Sequence, residues 1–185
     1  MKLFFKLKNA AQLTFFSLTF LCFAFTQLYG QNVMPDNSLS IVIECGSLGV
    51  TEPRKALAKL KPLKEKFLRE GSYENLEDFA VYNAVVSMEN IIHGLNNRYS
   101  YIYRSLNNIQ TNIKPMLRIN DDYALIYFSN KIEILAYKAQ EKGDNLHDNP
   151  RYRGNLQKIK IDVKKFEFKT KLTQNALIAI LDSYL

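Results

Sequence analysis

Apolar residues recur every seven positions across residues 81–116, and this repeat constrains the fold more than any other feature of the sequence. The spacing alternates between three and four, which is the pattern of a long helix that packs along one seam. We therefore predict a helix over 73–114 that ends at Pro115, because proline cannot continue a helix. The seam positions are Val81, Val85, Met88, Ile92, Leu95, Tyr99, Ile102, Leu106, Ile109, Ile113 and Met116.

The stretch NNRYSYIYRSLNN, residues 96–108, lies inside this repeat and carries three alternating tyrosines. Alternation is also typical of a strand with one aromatic face, or of a surface on which nucleic-acid bases stack. We favour helix because Tyr99 continues the seam in phase. The weak point is Gly94, since glycine disfavours a helix interior, and a bend near 94–97 is compatible with the sequence.

A second long helix is predicted over 121–142, with Asn120 as its N-cap and Gly143 as its stop. The loop GDNLHDNPRYRG follows at 143–154. We expect the helix 73–114 to pair with 121–142 as a long antiparallel hairpin. Helices over 52–70, with Thr51 as N-cap, and over 173–185 would pack alongside.

Two segments also alternate in the way a strand does. SLSIVIEC, residues 38–45, is predicted as a short strand that Gly46 and Gly49 end. Residues 158–172 fit both a strand and a helical face, and we favour helix. The predicted fold class is therefore mainly α, a helical bundle around the long antiparallel hairpin, with a small β element (39–45 with 158–168) left open.

The first thirty residues have the composition of a signal peptide. Three lysines precede an apolar run at 13–25, and the chain turns polar after Gly30. We predict cleavage near Gly30–Gln31, a single helical domain over 31–185, and a periplasmic or secreted location in a Gram-negative bacterium. Loss of Lys2, Lys6 and Lys8 lowers the formal net charge from +7 to +4.

Residues that could support catalysis or metal binding are few. The sequence contains no nucleophile elbow, phosphate-binding loop, dinucleotide fingerprint or zinc-protease motif. Glu89 and His93 share a helix face but lack a third ligand, and His147 lies in a polar loop. Cys45 is expected to be buried, and Asp121 and Asp122 to be first-turn acids of a helix. We therefore predict no catalytic residue, cofactor or metal ligand, and no enzyme activity.

Basic residues cluster in 151–171, where only Asp162 and Glu167 oppose them. The candidate anion-binding residues are Arg151, Arg153, Lys158, Lys160, Lys164, Lys165, Lys169 and Lys171. Seven further basic residues lie in the helix 52–70. In the simpler interpretation these lysines form a solvated face that pairs with the acidic segment 121–148. If the cluster binds a ligand, an anionic lipid or polysaccharide fits an exported protein better than nucleic acid.

Together these features predict an exported helical interaction or structural protein. Its partner would be an unknown protein, or a second copy through the helix 81–116. One alternative is a component of a secretion or conjugation apparatus. An exported protein with a long two-helix hairpin is similar in architecture to the minor pilus-associated proteins of those systems. The other alternative is a protein that binds the anionic envelope surface through 151–171.

Overall fold

The computed structural model describes residues 38–185 as an all-helical chain. The helices are α1 (Ser38–Thr51), α2 (Pro53–Glu70), α3 (Leu76–Leu95), α4 (Tyr99–Ile113), α5 (Asp121–Lys142), α6 (Pro150–Lys165) and α7 (Lys171–Tyr184), with a 3-10 turn at Lys114–Met116. No residue from 38 to 185 lies in a strand, so the mainly α prediction is confirmed. The predicted signal peptide and its cleavage site lie outside the described residues.

The chain divides into two compact units, with the boundary between Ser105 and Leu106. The described part of the first unit contains α1, α2, α3 and the beginning of α4. The second contains the rest of α4 and α5, α6 and α7. The boundary falls inside a helix and not in a linker.

The predicted strand at 38–45 is wrong, because these residues form the first turns of α1. Val42, Cys45 and Gly49 are buried at a three-and-four spacing, which is the period of a helix. The glycines do not end the element. A Cβ atom on Gly49 would lie 2.7 Å from Cγ1 of Ile92, so glycine permits close contact between α1 and α3.

The core of the first unit forms where α1, α2 and α3 meet. Its buried residues are Val42, Cys45, Ala56, Leu60, Val85, Met88, Ile91 and Ile92. The helix α2 confirms the prediction over 52–70, but the residue before its first turn is Glu52, and Thr51 belongs to α1. The N-cap of α3 is Asn75, whose side chain accepts hydrogen bonds from the backbone of Glu77 and Asp78.

The predicted continuous helix 73–114 is also wrong, because the chain turns back at residues 96–98. Asn97 has a left-handed φ of 57°. The backbone N–H of Arg98 donates to the carbonyl of His93 (2.8 Å), and that of Asn97 to Gly94 (3.1 Å). This is a Schellman motif, which ends a helix. The predicted long hairpin between 73–114 and 121–142 is not confirmed.

The second unit begins its main helix as predicted. The Asn120 side chain accepts from Asp122 N (3.0 Å), and Gly143 ends α5 in a left-handed conformation with φ 71°. Asp121 accepts from the backbone N–H groups of Lys169 (2.8 Å) and Thr170 (2.7 Å), which ties the start of α5 to the start of α7.

The predicted loop 143–154 is shorter than expected, since α6 begins at Pro150. Asn149 is the N-cap and accepts from Arg151 N (3.0 Å). Proline at the first helical position costs nothing because its missing N–H would have no partner there. The open alternative of a β element at 158–168 is therefore wrong as well, since residues 158–165 belong to α6.

Candidate anion-binding surface

The helix α6 carries six of the eight predicted anion-binding residues. Its buried stripe consists of Tyr152, Leu156, Ile159 and Val163, which recur at helical spacing. The hydroxyl of Tyr152 donates to the carbonyl of Lys138 on α5 (3.2 Å). Because one narrow stripe holds α6 against the unit, most of its remaining circumference faces solvent.

Three of the eight cations have partners within the unit. A guanidinium nitrogen of Arg153 donates to the carbonyl of Leu185 (2.9 Å), and Lys160 forms an ion pair with Asp182. Both contacts join α6 to the C-terminal end of α7, at Asp182 and at Leu185, the residue after the helix. The ammonium group of Lys169 donates to the carbonyl of Ile119 (2.6 Å). These three residues therefore have a structural role.

The other five cations are exposed and form no ion pair with any residue in 38–185. They are Arg151, Lys158, Lys164, Lys165 and Lys171. Arg151, Lys158 and Lys165 are seven residues apart, so they form one row with a spacing of about 10 Å along the helix axis. We call Arg151, Lys158, Lys164 and Lys165 the basic face of α6.

The expected pairing of this cluster with the acidic segment 121–148 is not observed among the described residues. In the ion pair that joins the two segments, the cation lies on α5 and the acid on α6: Lys131 contacts Asp162 at 3.6 Å. Asp162, one of the two acids of 151–171, therefore has its cationic partner on α5 and not on the basic face.

The basic residues of α2 behave differently. Four of its lysines form ion pairs with glutamates: Lys55 with Glu52, Lys59 with Glu44, Lys61 with Glu65 and Lys64 with Glu89. An ion pair lowers the net field that a ligand experiences. The two basic segments look alike in the sequence, yet four lysines of α2 have glutamate partners, whereas no residue of the basic face of α6 forms an ion pair with a described residue.

The aromatic residues near the cluster are occupied by packing. Phe166 and Phe168 contact each other, with ring centroids 4.7 Å apart, and both rings contact Phe128 on α5. Tyr152 belongs to the buried stripe. Base stacking requires an accessible ring face. Tyr152 is buried, and Phe166 and Phe168 are partly buried against each other and Phe128, so the arrangement suits contact with anionic groups better than stacking.

Sequence reasoning missed Ile161, which lies on the outer side of α6 and is 49% exposed. It is separated by two positions from both Ile159 and Val163, so it faces away from the buried stripe. Its helical neighbours at three and four positions include Lys158, Lys164 and Lys165. The alternation of Ile159, Ile161 and Val163 suggested a strand. In the helix that the segment forms, Ile161 is an exposed apolar side chain among lysines.

The remaining candidate residues of the sequence have structural surroundings. Cys45 is buried as predicted, with Sγ 3.5 Å from the carbonyl of Ala56, and burial raises the pKa of its thiol. Glu89 pairs with Lys64, and the His93 ring stacks on Tyr101 with centroids 5.0 Å apart. Burial and then the charges of Arg98 and Lys64 lower the pKa of His93.

The polar loop 143–149 is built from contacts among its own side chains and α7. His147 stacks on Tyr184 with ring centroids 5.3 Å apart, and its Nδ1 lies 3.2 Å from the carbonyl of the same residue. The Asn145 and Asn149 side chains donate to Asp148 and Asp144. These carboxylates therefore already hold hydrogen bonds, which suits a structural loop.

A buried carboxyl group that sequence reasoning did not identify lies on α5. Oε1 of Glu133 is buried and has no hydrogen-bond partner within residues 38–185. Burial raises the pKa of Glu133 to about 7. Burial, followed by the nearby charge of Glu133, raises the pKa of Tyr184 on α7 to about 12. Glu133 directly follows Ile132, a buried residue of α5.

Two further observations concern only the part of the chain that the structure describes. No group of three histidine, cysteine, aspartate or glutamate side chains there has an arrangement that could hold a metal ion. No helix between residues 38 and 185 combines the length and apolar character that a bilayer crossing requires.

Comparison with known proteins gives no family assignment. No protein-family model matches the sequence, and neither the curated proteins nor the solved structures contain a significant match. The function must therefore be inferred from the residues of this chain and their arrangement.

Proposed function

We propose that this chain is an exported helical interaction protein that binds an anionic ligand through the basic face of α6. The observation that carries the proposal is the contrast between two basic helices. Lys55, Lys59, Lys61 and Lys64 of α2 are paired with glutamates. The residues of the basic face of α6 form no ion pair with any described residue. Uncompensated positive charge on one side of a rigid helix attracts polyanions.

The proposal includes the location expected from the sequence, which is periplasmic or secreted after cleavage near Gly30–Gln31. It assigns no catalytic role, because no residue group in 38–185 brings a nucleophile, a base and an orienting group together in the contacts described above. Anionic lipids and acidic polysaccharides of the envelope are the ligands that such a location offers.

The competing proposal is a protein partner: a second copy bound through 81–116, or a component of a secretion or conjugation apparatus. Ile102, Leu106 and Ile109 of this segment are all buried. A helix whose apolar side chains are already buried offers little area to a partner, and stable interfaces bury roughly 800 Å² on each side. This argues for the basic face over the seam.

Binding of the purified protein to a soluble polyanion such as heparin, measured at several salt concentrations, tests the proposal. We expect affinity to fall steeply as salt rises, because bound cations displace counterions from the polyanion. Replacing Lys158 and Lys165 by glutamate should abolish binding. The matched control replaces Arg54 and Lys61 of α2, which have the same spacing and give the same change in net charge.

Equal losses in the two double variants would show that binding depends on total charge, and would reject the basic face as the site. Light scattering should be recorded on the same samples. If the protein forms a dimer or larger species that Leu106→Asp dissociates without loss of helicity, and does not bind heparin, the competing proposal is correct.

A further inference from the structure

We infer that the anionic ligand of the basic face is the surface of a lipid bilayer, with Ile161 entering the headgroup region. This assignment rests on the function proposed above and adds the class of ligand. The observation behind it is the position of Ile161, an apolar residue that is 49% exposed and lies between charged residues on the outer side of α6.

The neighbours of Ile161 on the helix surface are those three or four positions away. Lys158, Lys164 and Lys165 occupy three of these positions, and all are exposed. The fourth is Gln157. An apolar side chain thus has cations at three of its four neighbouring positions on the outer side of the helix. A surface-bound helix presents the same order to a bilayer, with charges at the phosphate level and an apolar group beneath them.

A soluble polyanion and a lipid bilayer differ in what they offer to Ile161. An acidic polysaccharide or another soluble polyanion interacts with the cations but offers no apolar phase, so Ile161 would contribute nothing to its binding. A bilayer offers both anionic headgroups and acyl chains. The long lysine side chains can bend toward the headgroups while Ile161 points into the membrane.

The row of Arg151, Lys158 and Lys165 also suits a flat ligand. Its members follow the axis of one straight helix over about 21 Å, so they can reach one plane simultaneously. Each cation near an anionic membrane surface contributes roughly a fivefold gain in affinity. Four such residues and one apolar side chain predict reversible, salt-sensitive binding and not permanent insertion.

The test compares binding of the purified protein to three ligands: vesicles with 30% phosphatidylglycerol in phosphatidylcholine, pure phosphatidylcholine vesicles, and heparin. The informative variant is Ile161→Ser. The matched control is Ile43→Ser, which removes a comparably exposed isoleucine (62%) from α1. Circular dichroism checks that both variants retain the helical content of the original protein.

Of the two kinds of vesicle, we expect the protein to bind only the anionic one. Ile161→Ser should bind it about fivefold more weakly, because the exposed part of the isoleucine no longer enters the apolar side of the headgroup region. Heparin binding should stay within twofold of the original protein. Ile43→Ser should change neither. Lys158→Gln should weaken binding to both the anionic vesicles and heparin about fivefold, because it removes a positive charge.

Heparin binding without vesicle binding would overturn the lipid assignment and leave the anion-binding function intact. The same conclusion follows if Ile161→Ser binds vesicles as the original protein does, or if Ile43→Ser loses equally. Absence of binding to both heparin and anionic vesicles would overturn the proposed function together with the lipid assignment.

Discussion

The Ser105 hydroxyl donates a hydrogen bond to Oδ1 of Asn90 across 2.7 Å, although fifteen residues separate the two in the sequence. In a continuous helix they would lie about 22 Å apart. The contact therefore requires the reversal at residues 96–98, which brings Asn90 and His93 of α3 beside Ser105 and Tyr101 of α4.

Loss of this hydrogen bond should destabilise the first unit. Asn90 is 1% exposed, and its Nδ2 has no hydrogen-bond partner among the described residues, so the hydroxyl of Ser105 supplies the hydrogen bond to its side chain. We expect Ser105→Ala to lower the free energy of unfolding by about 1–2 kcal/mol. Urea denaturation measures the change. The control, Ser100→Ala on the exposed side of α4, should be within about 0.5 kcal/mol of the original protein.

The reversal itself should depend on the backbone of Asn97. Asparagine tolerates a left-handed φ better than most residues, and glycine tolerates it best. Asn97→Gly should therefore keep or raise thermal stability, whereas Asn97→Ala should lose about 1 kcal/mol. Gly143→Ala is the reference, because a Cβ atom there has no neighbour within 4 Å and φ is 71°. If both alanine variants were as stable as the original protein, the left-handed turns would not be required.

Gly49 is closely packed and Gly154 has open space around it, so replacing each by alanine should change stability in opposite directions. In Gly49→Ala the new Cβ would approach Ile92 to 2.7 Å, so overpacking should cost about 1–3 kcal/mol despite the better helix propensity of alanine. Gly154 lies inside α6 with open space around it, and Gly154→Ala should stabilise by up to about 1 kcal/mol. A stabilising Gly49→Ala would contradict the close packing of α1 on α3.

Glu133 should make stability fall as pH rises. Its folded pKa of about 7 exceeds the ordinary 4.5, so the folded state holds the proton more tightly between these values. The free energy of unfolding should decrease by about 3 kcal/mol from pH 4.5 to 7 through this group. The lowered pKa of His93 acts in the opposite sense toward acid pH.

The contribution of Glu133 is therefore measured as a difference. Urea midpoints of the original protein and of Glu133→Gln should be compared at pH 5 and pH 8. We expect the variant to be relatively more stable at pH 8 than at pH 5. If the difference in stability between the two proteins were the same at pH 5 and pH 8, the pKa of Glu133 would not be raised in the folded state.

Sequence reasoning located α2 and α7 from the helical spacing of their apolar residues, and α5 also from the signals at its start and stop. Asn120 and Gly143 act as the cap and the stop that their residue types suggest. The end of α3 uses the same hydrogen-bond pattern as the end of α5, but with asparagine in place of glycine. The seven-residue repeat continues in phase through this turn, so periodicity alone could not reveal that the chain reverses.

The sequence predicted eight candidate anion-binding residues, and the structure separates those with partners from those that form no ion pair with a described residue. Whether a lysine is paired depends on residues distant in sequence, as Lys160 and Asp182 show. Such contacts depend on how the helices pack, and the sequence around each residue does not indicate them. The strand prediction at 38–45 failed for a similar reason: Gly46 and Gly49 were interpreted as breakers, whereas their function is close contact between α1 and α3.

The most direct test of the central claim is residue-specific. Amide chemical shifts of the ¹⁵N-labelled protein should be followed while heparin is added at low salt. The account predicts that the largest changes fall in residues 151–165, with little effect in 54–69, and that they reverse when salt is added. Changes concentrated in 54–69, or spread over both basic helices equally, would contradict the assignment of the basic face of α6 as the binding surface.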